Sequence, residues 1–288
     1  MYNFDKLPNR YDTNSIKWNF DKDVLPMWVA DMDFEAPDFI IDAINKARDR
    51  HVFGYSVVPD SFYFSAIDFF KRRHNIEFKK EEMIFTTGVV PALSSMVRKL
   101  TTPAENVVVL SPVYNCFYSS IINAGRKVLA SELKYENHKY EIDFSDLEEK
   151  LSNPESTLMI FCNPHNPIGK VWKKEELKKV SELCHKYDVI LISDEIHCDI
   201  VSPNVNYVPF ASVDDNVITC ISASKCFNLA GFPGSLNITK NKFLYNKIKR
   251  GFNSDEIAEG SAFVFDVFET AFNKGDKWLD ELNEYIYK

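Results

Sequence analysis

The sequence predicts an α/β fold in which a mainly parallel sheet lies between layers of helices. From about residue 80 onward, short apolar runs rich in β-branched residues alternate with segments whose apolar residues recur at helical spacing. This alternation is typical of parallel strands joined by crossover helices. At 288 residues and 45% hydrophobic content, the chain can bury a core large enough for such a sheet.

The first forty residues lack this alternation. Pro8, Pro26 and Pro37 stand there among isolated aromatic residues, which predicts an irregular arm packed on another element or another subunit. A helix is predicted next, at 38–51. Later apolar runs predict strands at 83–86, 107–110, 127–130, 158–162, 189–193, 217–221 and 235–238. Helical spacing predicts helices at 91–100, 114–124, 144–151 and 174–187.

Composition and charge favour small-molecule chemistry. The formal charge is −8, and the 34 lysines and arginines are scattered rather than massed in one stripe, which argues against a nucleic-acid partner. No apolar run reaches the roughly eighteen residues that span a bilayer. The start has neither the basic end nor the apolar stretch of a signal peptide. The six cysteines lie singly in apolar runs, as expected in a reducing compartment. We therefore expect a cytoplasmic protein without a membrane partner.

Lys225 follows the apolar run that ends at Ile221. It is predicted to lie at the carboxyl-terminal edge of the sheet, where ligands of open α/β folds bind. A lone loop lysine is most often simply solvated. Here Ser222 and Ser224, at a spacing of two, could face one anion while Lys225 reaches the other end of a small ligand.

Acidic residues follow the strand at 189–193 directly. Asp194 and Glu195 come at the end of this apolar run, where a carboxylate is costly without a partner, so one of them should meet a cation or a metal. Asp194, His197 and Asp199 could ligate a divalent ion. No second cluster supplies further ligands at recognisable spacing, and we therefore predict no metal site.

Two other predicted strands end in turns. Residues 162–169 contain Asn166 among prolines, a composition that favours a tight turn. Residues 86–92 pass through Gly88 into a helix start, where free backbone N–H groups could bind an anion. Neither segment matches a P-loop or a dinucleotide fingerprint, so nucleotide binding is not predicted.

Taken in order, these segments resemble fold-type I enzymes that depend on pyridoxal 5′-phosphate (PLP), and in particular the MalY/PatB group of cystathionine β-lyase-like carbon–sulfur lyases. The resemblance runs through nearly the whole chain and implies the aspartate-aminotransferase fold. It is carried by PMWVADMDF (26–34), FGY (53–55), RRH (72–74), GVVPA (88–92), SPVY (111–114), NPHNPIG (163–169), SDEIH (193–197) and SASK (222–225).

The resemblance implies a role for each matching residue around the cofactor. Lys225 would form the Schiff base, and Asp194 would pair with the pyridinium nitrogen. Asn166 and His197 would hydrogen-bond the 3′-oxygen. Tyr114 would stack on the ring.

The resemblance also implies how the cofactor phosphate is held. It would meet the backbone N–H groups of Val89 and Val90 and the hydroxyls of Ser222 and Ser224. Tyr55 would reach in from a partner subunit, so a homodimer is expected.

The implied reaction is β-elimination from an amino acid that carries a thiolate on its β-carbon. The freed Lys225 amine, its pKa lowered by cationic neighbours and burial, would take the α-proton. Thiol, pyruvate and ammonia would be released. Ala30, Asp31 and Asn166 would bind the substrate. Aminotransfer is the competing reaction, and a catalytically silent PLP-binding remnant is a third alternative.

Compared with the family pattern, the sequence predicts an incomplete small domain. Residues 1–45 would form an arm and small-domain remnant, 46–275 the large PLP-binding domain, and 276–288 the start of an interdomain helix. The arginine that binds the substrate carboxylate in the family has no counterpart, so weak activity or none is expected. Trp28 and Phe34 are expected to lack cover.

Overall fold

The structure of the chain is a computed structural model that describes residues 2–288. Its helices are α1 (Asp38–Arg48), α2 (Asp60–His74), α3 (Val89–Leu100), α4 (Asn115–Ile122), α5 (Phe144–Leu151), α6 (Lys174–Lys186), α7 (Ala223–Cys226), α8 (Lys242–Ser254), α9 (Val264–Lys274) and α10 (Asp276–Ile286). Its strands are β1 (Met83–Thr86), β2 (Asn106–Ser111), β3 (Lys127–Glu132), β4 (Lys134–Glu136), β5 (Lys139–Glu141), β6 (Ser156–Cys162), β7 (Ile190–Asp194), β8 (Ile218–Ile221) and β9 (Ser235–Ile238).

The predicted strands and helices all form, with ends shifted by at most three residues. The α3 helix begins at Val89 rather than at the predicted Pro91. A proline in the first turn costs little, because the first backbone N–H groups of a helix have no acceptor within the helix. Helices α2, α7, α8 and α9 and the β4–β5 hairpin were not predicted. In α2 the signal was present, since Phe62, Ala66 and Phe69 recur at helical spacing and are buried.

The main sheet of residues 2–288 has the strand order β1-β9-β8-β7-β6-β2-β3. From β3 to β8, neighbouring strands pair in parallel, as predicted. Strand β9 pairs antiparallel with both β8 and β1. The α/β fold with a mainly parallel sheet is therefore confirmed, with one antiparallel edge.

The register of the parallel strands brings their carboxyl ends to one edge of the sheet. Cys162 of β6 lies opposite Asp194 of β7, and Asp194 lies opposite Cys220 of β8. The segments that follow these strands consequently leave the sheet side by side. This edge is where open α/β sheets bind ligands.

Both faces of the sheet are buried, as expected for a sheet covered by helices on two sides. Successive residues of β7 face opposite ways, with Leu191 in one core cluster and Ile192 in the other. Leu93 of α3, Phe117 of α4 and Ile248 of α8 pack in the cluster of Ile192. Helices α2, α6, α9 and α10 cover the opposite face.

The arm at 2–37 contains neither helix nor strand in the described residues, as predicted. Trp28 is 55% exposed, which agrees with the expected lack of cover. The same expectation is wrong for Phe34. Its ring packs against Phe4 at a centroid distance of 5.2 Å and against Tyr285 of α10 at 5.7 Å. None of the helices in residues 2–288 is both long and apolar enough to cross a membrane.

Candidate active site

A cavity of about 680 Å³ opens at the carboxyl-terminal edge of the sheet. Its volume is within the range of small-molecule and cofactor sites. Segments from the arm, α3, α4 and the loops after β6, β7 and β8 form its wall. Most of the residues proposed from the sequence lie on this wall, namely Ala30, Val89, Val90, Tyr114, Asn166, Asp194, His197, Ser224 and Lys225.

Three proposed residues lie off the wall. Ser222 is buried behind it, where its hydroxyl donates to the carbonyl oxygen of Gly234 at 2.6 Å and accepts from the backbone N–H of Ser224 at 3.1 Å. Asp31 follows the wall residue Ala30 but pairs with an arginine of the arm. Tyr55 is 100% exposed in the single chain. Its proposed place in a partner's site therefore stays a prediction.

Lys225 lies in the short helix α7, directly after β8. Its ammonium donates to the carbonyl oxygen of Ala30 at 3.2 Å. Burial lowers the pKa of Lys225 below its ordinary value, while the negative charges of Asp31 and Asp194 act in the opposite direction. Burial was predicted as a cause. The predicted cationic neighbours are wrong, because the charges that act on this amine in the structure are anionic.

Asp194 is the last residue of β7 and is 4% exposed. Its Oδ1 accepts a hydrogen bond from the backbone N–H of Ile196 at 3.2 Å. No basic side chain of residues 2–288 forms an ion pair with it. Burial therefore raises the pKa of Asp194 to about 7, and the charge of Lys225 only partly opposes this rise. The site thus contains a carboxyl group that lacks a cationic partner.

Glu195, the next residue, is equally buried but well satisfied. It accepts hydrogen bonds from the Tyr207 hydroxyl, the backbone N–H of Phe210 at 2.9 Å and the Ser193 hydroxyl at 2.8 Å. These neutral donors hold it in the core. Only Asp194 of the two carboxyl groups lies on the cavity wall.

The imidazole of His197 lies on the same wall. Burial, and secondly the positive charge of Lys225, lower the pKa of His197 to about 4. The ring is consequently neutral near pH 7, with one nitrogen as donor and the other as acceptor. Asn166 lies nearby on the turn after β6, where its backbone N–H donates to the Cys162 sulfur at 3.4 Å.

An anion-binding arrangement forms at the start of α3. Gly88 adopts φ 124°, a value that residues with a side chain rarely reach, and the helix begins at the next residue. Val89 and Val90 are on the cavity wall, and the backbone N–H groups of a first helical turn have no acceptor within the helix. Such N–H groups and the helix dipole favour a phosphate or carboxylate.

Tyr114 immediately precedes α4 and brings an aromatic ring to the cavity. Its ring meets Phe117 edge-on, with centroids 6.0 Å apart. Burial raises the pKa of the Tyr114 phenol above its ordinary value, and the neighbouring Cys116 adds to the rise. The phenol is therefore protonated at neutral pH.

The alternative metal set does not come together in the structure. Asp194 and His197 lie on the cavity wall, whereas Asp199 accepts hydrogen bonds from Arg73 and His74, each at 3.0 Å. The potential ligand atoms that do cluster in the described residues belong to His74, Cys198 and Asp199. The expectation that Asp194 or Glu195 would meet a cation or a metal is therefore wrong for the described residues, because the cation near this loop, Arg73, pairs with Asp199 instead.

Sequence reasoning missed several wall residues. Cys116 and Cys162 were given no place in a site, yet both line the cavity. Gly234 lies where a Cβ atom would approach Val264 Cγ2 to 2.9 Å, so a side chain there would displace the wall. No local pattern marks Gly234, because its crowding comes from a helix thirty residues further along the chain.

Comparisons with known proteins identify the family of the chain. The model of the family described as aminotransferase class I and II matches residues 22–284. The chain is 40% identical over 298 aligned residues to the cystathionine β-lyase PatB of Bacillus subtilis (strain 168), which covers 99% of the chain and 76% of that protein.

Solved structures that contain PLP are also similar to this chain. Cystalysin from Treponema denticola, whose structure contains a PLP cofactor, matches with a TM-score of 0.94 and 32% identity, over 99% of this chain and 75% of that one. The PLP-bound C–S lyase from Staphylococcus hominis matches with a TM-score of 0.92 and 33% identity, over 99% of this chain and 74% of that one.

Proposed function

Because the chain belongs to the aminotransferase class I and II family, we propose that it is a PLP-dependent carbon–sulfur β-lyase. The substrate would be cystathionine or a related amino acid with sulfur on its β-carbon. Water is consumed, and thiol, pyruvate and ammonia are released. The names of the similar lyases support this choice within the family.

One observation carries the proposal. The buried carboxyl group of Asp194, without a cation among residues 2–288, lies in the same cavity wall as the lysine Lys225. A protonated ring nitrogen is the complement that such a carboxylate lacks, and it would lower the pKa of Asp194 again. A lysine amine is the group that holds an aldehyde cofactor. Both ends of the site therefore fit PLP.

The remaining wall fits the other parts of PLP. The start of α3, with Val89 and Val90, and the hydroxyl of Ser224 would hold the phosphate. Tyr114 would cover the ring. Ser222 is assigned an indirect part, since its hydroxyl already donates to Gly234 and caps the helix that carries Lys225.

In the proposed reaction, Lys225 moves protons at the substrate α-carbon. When bound, PLP supplies a ring that stabilises negative charge at that carbon. The Lys225 amine takes the proton, because burial favours its neutral form. Asp194 holds the charge opposite the ring nitrogen. His197 is neutral and Asn166 is an amide, so both can hydrogen-bond a cofactor oxygen without adding charge, and Asn166 and Ala30 would also meet the substrate.

Aminotransfer is the second candidate, and the family description favours keeping it. Both reactions start with removal of the α-proton by the same lysine. They differ in whether the sulfur group leaves the substrate or the amino group is kept for transfer to a 2-oxo acid. The residues of the cavity wall are compatible with both reactions, so the two must be distinguished by their products.

We further propose a cytoplasmic homodimer. The segment that contains Tyr55 supports the dimer, since Val52 is 75%, Tyr55 100% and Val57 85% exposed in the single chain. An apolar stretch of this kind is typical of an interface. The cysteines support a reducing compartment, because all six are free.

The test is an absorbance spectrum of the purified chain with PLP, followed by borohydride reduction and peptide mass spectrometry. We expect PLP attached at Lys225, and pyruvate on addition of cystathionine. Lys225→Ala should lose both the attachment and the pyruvate, whereas the surface control Lys240→Ala should keep both. Attachment to another lysine, or unchanged pyruvate release by Lys225→Ala, would overturn the proposal. If the chain converted a 2-oxo acid into the corresponding amino acid and released no pyruvate from cystathionine, it would be an aminotransferase instead.

A further inference from the structure

The arm presents Ala30 to the cavity through a network of partly buried charges. Arg10 donates to Asp31 Oδ2 at 2.7 Å, to Asp33 Oδ1 at 2.7 Å and to the carbonyl oxygen of Met32 at 3.1 Å. Lys17 adds a hydrogen bond to the carbonyl oxygen of Asp31 at 2.8 Å. Each residue from 31 to 33 is thus held by a hydrogen bond from another residue of the arm.

The inner side of the same segment is tied to the Lys225 helix. Asn228, three residues after Lys225, accepts from the backbone N–H of Met32 at 2.9 Å and donates to the carbonyl oxygen of Met32 at 2.9 Å. The position of Ala30 relative to Lys225 is therefore set by hydrogen bonds on both sides. The contact from the Lys225 ammonium to the carbonyl oxygen of Ala30 is part of this arrangement.

Asp31 is the unusual member of the network. Its Oδ2 is paired with Arg10, but its Oδ1 is buried and has no hydrogen-bond partner among residues 2–288. Asp33, two residues on, is fully engaged by Arg10, Lys17 and Trp18. A buried carboxylate oxygen without a donor is costly. It is tolerated where the charge itself has a use.

We propose that Arg10, Asp31 and Ala30 form a receiving site for the Lys225 ammonium, in which the Ala30 carbonyl accepts the hydrogen bond and Asp31 supplies the negative charge. Arg10 fixes the position of the Asp31 carboxylate, and its positive charge partly offsets the effect of Asp31 on Lys225. Asp31 is then a positioning residue that acts through Lys225, rather than a residue that touches the substrate.

Charges from every neighbouring element act on this amine. Asp31 of the arm is the largest of those that favour its protonated form, ahead of Asp194 at the end of β7 and Cys116 of α4. His197, after β7, is neutral near pH 7. Burial opposes all of them and lowers the pKa of Lys225 overall. Removing one charge should therefore move this pKa measurably.

The site has a use in the proposed reaction, on which the inference rests. Lys225 must be neutral before it takes the α-proton and must be stable as an ammonium afterwards. The Ala30 carbonyl and Asp31 stabilise the second state, while burial favours the first. An amine whose two protonation states are both stabilised in this way can accept a proton and give it up again during the reaction.

The test measures the pKa of Lys225 without cofactor or substrate. The chain is stripped of PLP and labelled by competitive acetylation with trace acetic anhydride, from about pH 7 to about pH 11. Acetylation of Lys225 is then quantified by peptide mass spectrometry. Asp31→Asn should lower the pKa by about one unit, because an opposing charge nearby typically contributes that much or more. Asp31→Glu should restore it. Asp33→Asn removes the same charge from the same segment and should leave the pKa within a few tenths.

The variant Arg10→Gln distinguishes an effect of the Asp31 charge on the pKa of Lys225 from an effect of loosening the arm. If Asp31 acts through its charge, removing Arg10 should raise the pKa of Lys225, opposite to the effect of Asp31→Asn. Shifts in the same direction, or none, would overturn the inference, and Arg10→Gln alone decides if Asp31→Asn fails to fold. Attachment of PLP to Lys225 in the unmodified chain is scored separately. Failure of the proposed function would appear there, whereas failure of this inference would leave that attachment intact.

Discussion

Two buried carboxyl groups on the loop after β7 behave in opposite ways. Asp194 and Asp199 are each 4% exposed. Burial acts to raise the pKa of Asp199, but the charges and hydrogen bonds of His74 and Arg73 outweigh it and hold that pKa below its ordinary value. Asp194 has no such partners, and its pKa rises to about 7. Equal burial thus gives a structural ion pair at one position and, at the other, an acid without a cationic partner among residues 2–288.

The difference shows at which of the two positions the chain supplies a cationic partner for the buried carboxylate. At Asp199 the cation comes from α2 of the same chain, so nothing further is needed. At Asp194 the chain provides a cavity instead of a cation. Perturbed carboxyl groups in a cleft are candidates for function, whereas paired ones in the core are usually structural. The comparison therefore supports the proposed role of Asp194 in the reaction and favours a structural role for Asp199.

The largest expected effect is on turnover. Asp194→Asn keeps the shape of the side chain but removes the charge that would oppose the ring nitrogen, so pyruvate release should fall about a hundredfold to a thousandfold. Asp199→Asn, measured on folded protein with saturating PLP, should stay within about threefold of the unmodified chain. Steady-state pyruvate assays check both. If pyruvate release fell equally in the two variants, the proposed difference between Asp194 and Asp199 would be wrong.

The next effect concerns the pH dependence of stability without cofactor. The pKa of Asp194 is about 7 in the folded chain and near 3.8 when unfolded, so the unfolded chain releases this proton first. Stability from this group is fully present below about pH 4 and is lost as pH rises to about 7, by up to about 4 kcal/mol.

The measurement is urea unfolding of the unmodified chain and of Asp194→Asn across this pH range. His197, with a pKa of about 4, acts in the opposite direction, since its contribution is lost as pH falls. The difference between the two proteins cancels that contribution. We expect the unmodified chain to lose stability relative to Asp194→Asn as pH rises. If the free energies of unfolding of the two proteins changed in parallel with pH, the pKa of Asp194 would not be raised in the folded chain.

The sequence was sufficient for one half of this comparison. The apolar run before Asp194 predicted both β7 and a carboxylate at the sheet edge, and the motif resemblance gave its role. Nothing in the local sequence identified Asp199 as the paired residue, because its partner Arg73 lies 126 residues away. The same limit explains Phe34, whose cover comes from Phe4 and from Tyr285 of α10.

Ser222 shows a related limit within the site. Its spacing from Ser224 suggested two hydroxyls facing one anion. In the structure the Ser222 hydroxyl donates to Gly234, twelve residues further along the chain. Spacing predicted which residues gather at the edge of the sheet. It could not predict which hydroxyl is consumed by the backbone, since that depends on the course of the segment before β9.

The smallest expected effect is the stability of the Asp199 pair. Asp199→Asn leaves Arg73 and His74 without their buried anion, so the free energy of unfolding should fall by about 3 kcal/mol. Asp215→Asn is the matched control, because Asp215 also pairs with a cation, Lys240 at 2.6 Å, but is 74% exposed. A surface pair of this kind contributes less than about 1 kcal/mol. Urea unfolding at neutral pH compares the two. If Asp199→Asn proved as mild as Asp215→Asn, burial alone would not distinguish the structural carboxylate, and the assignment of Asp194 would depend on its turnover effect.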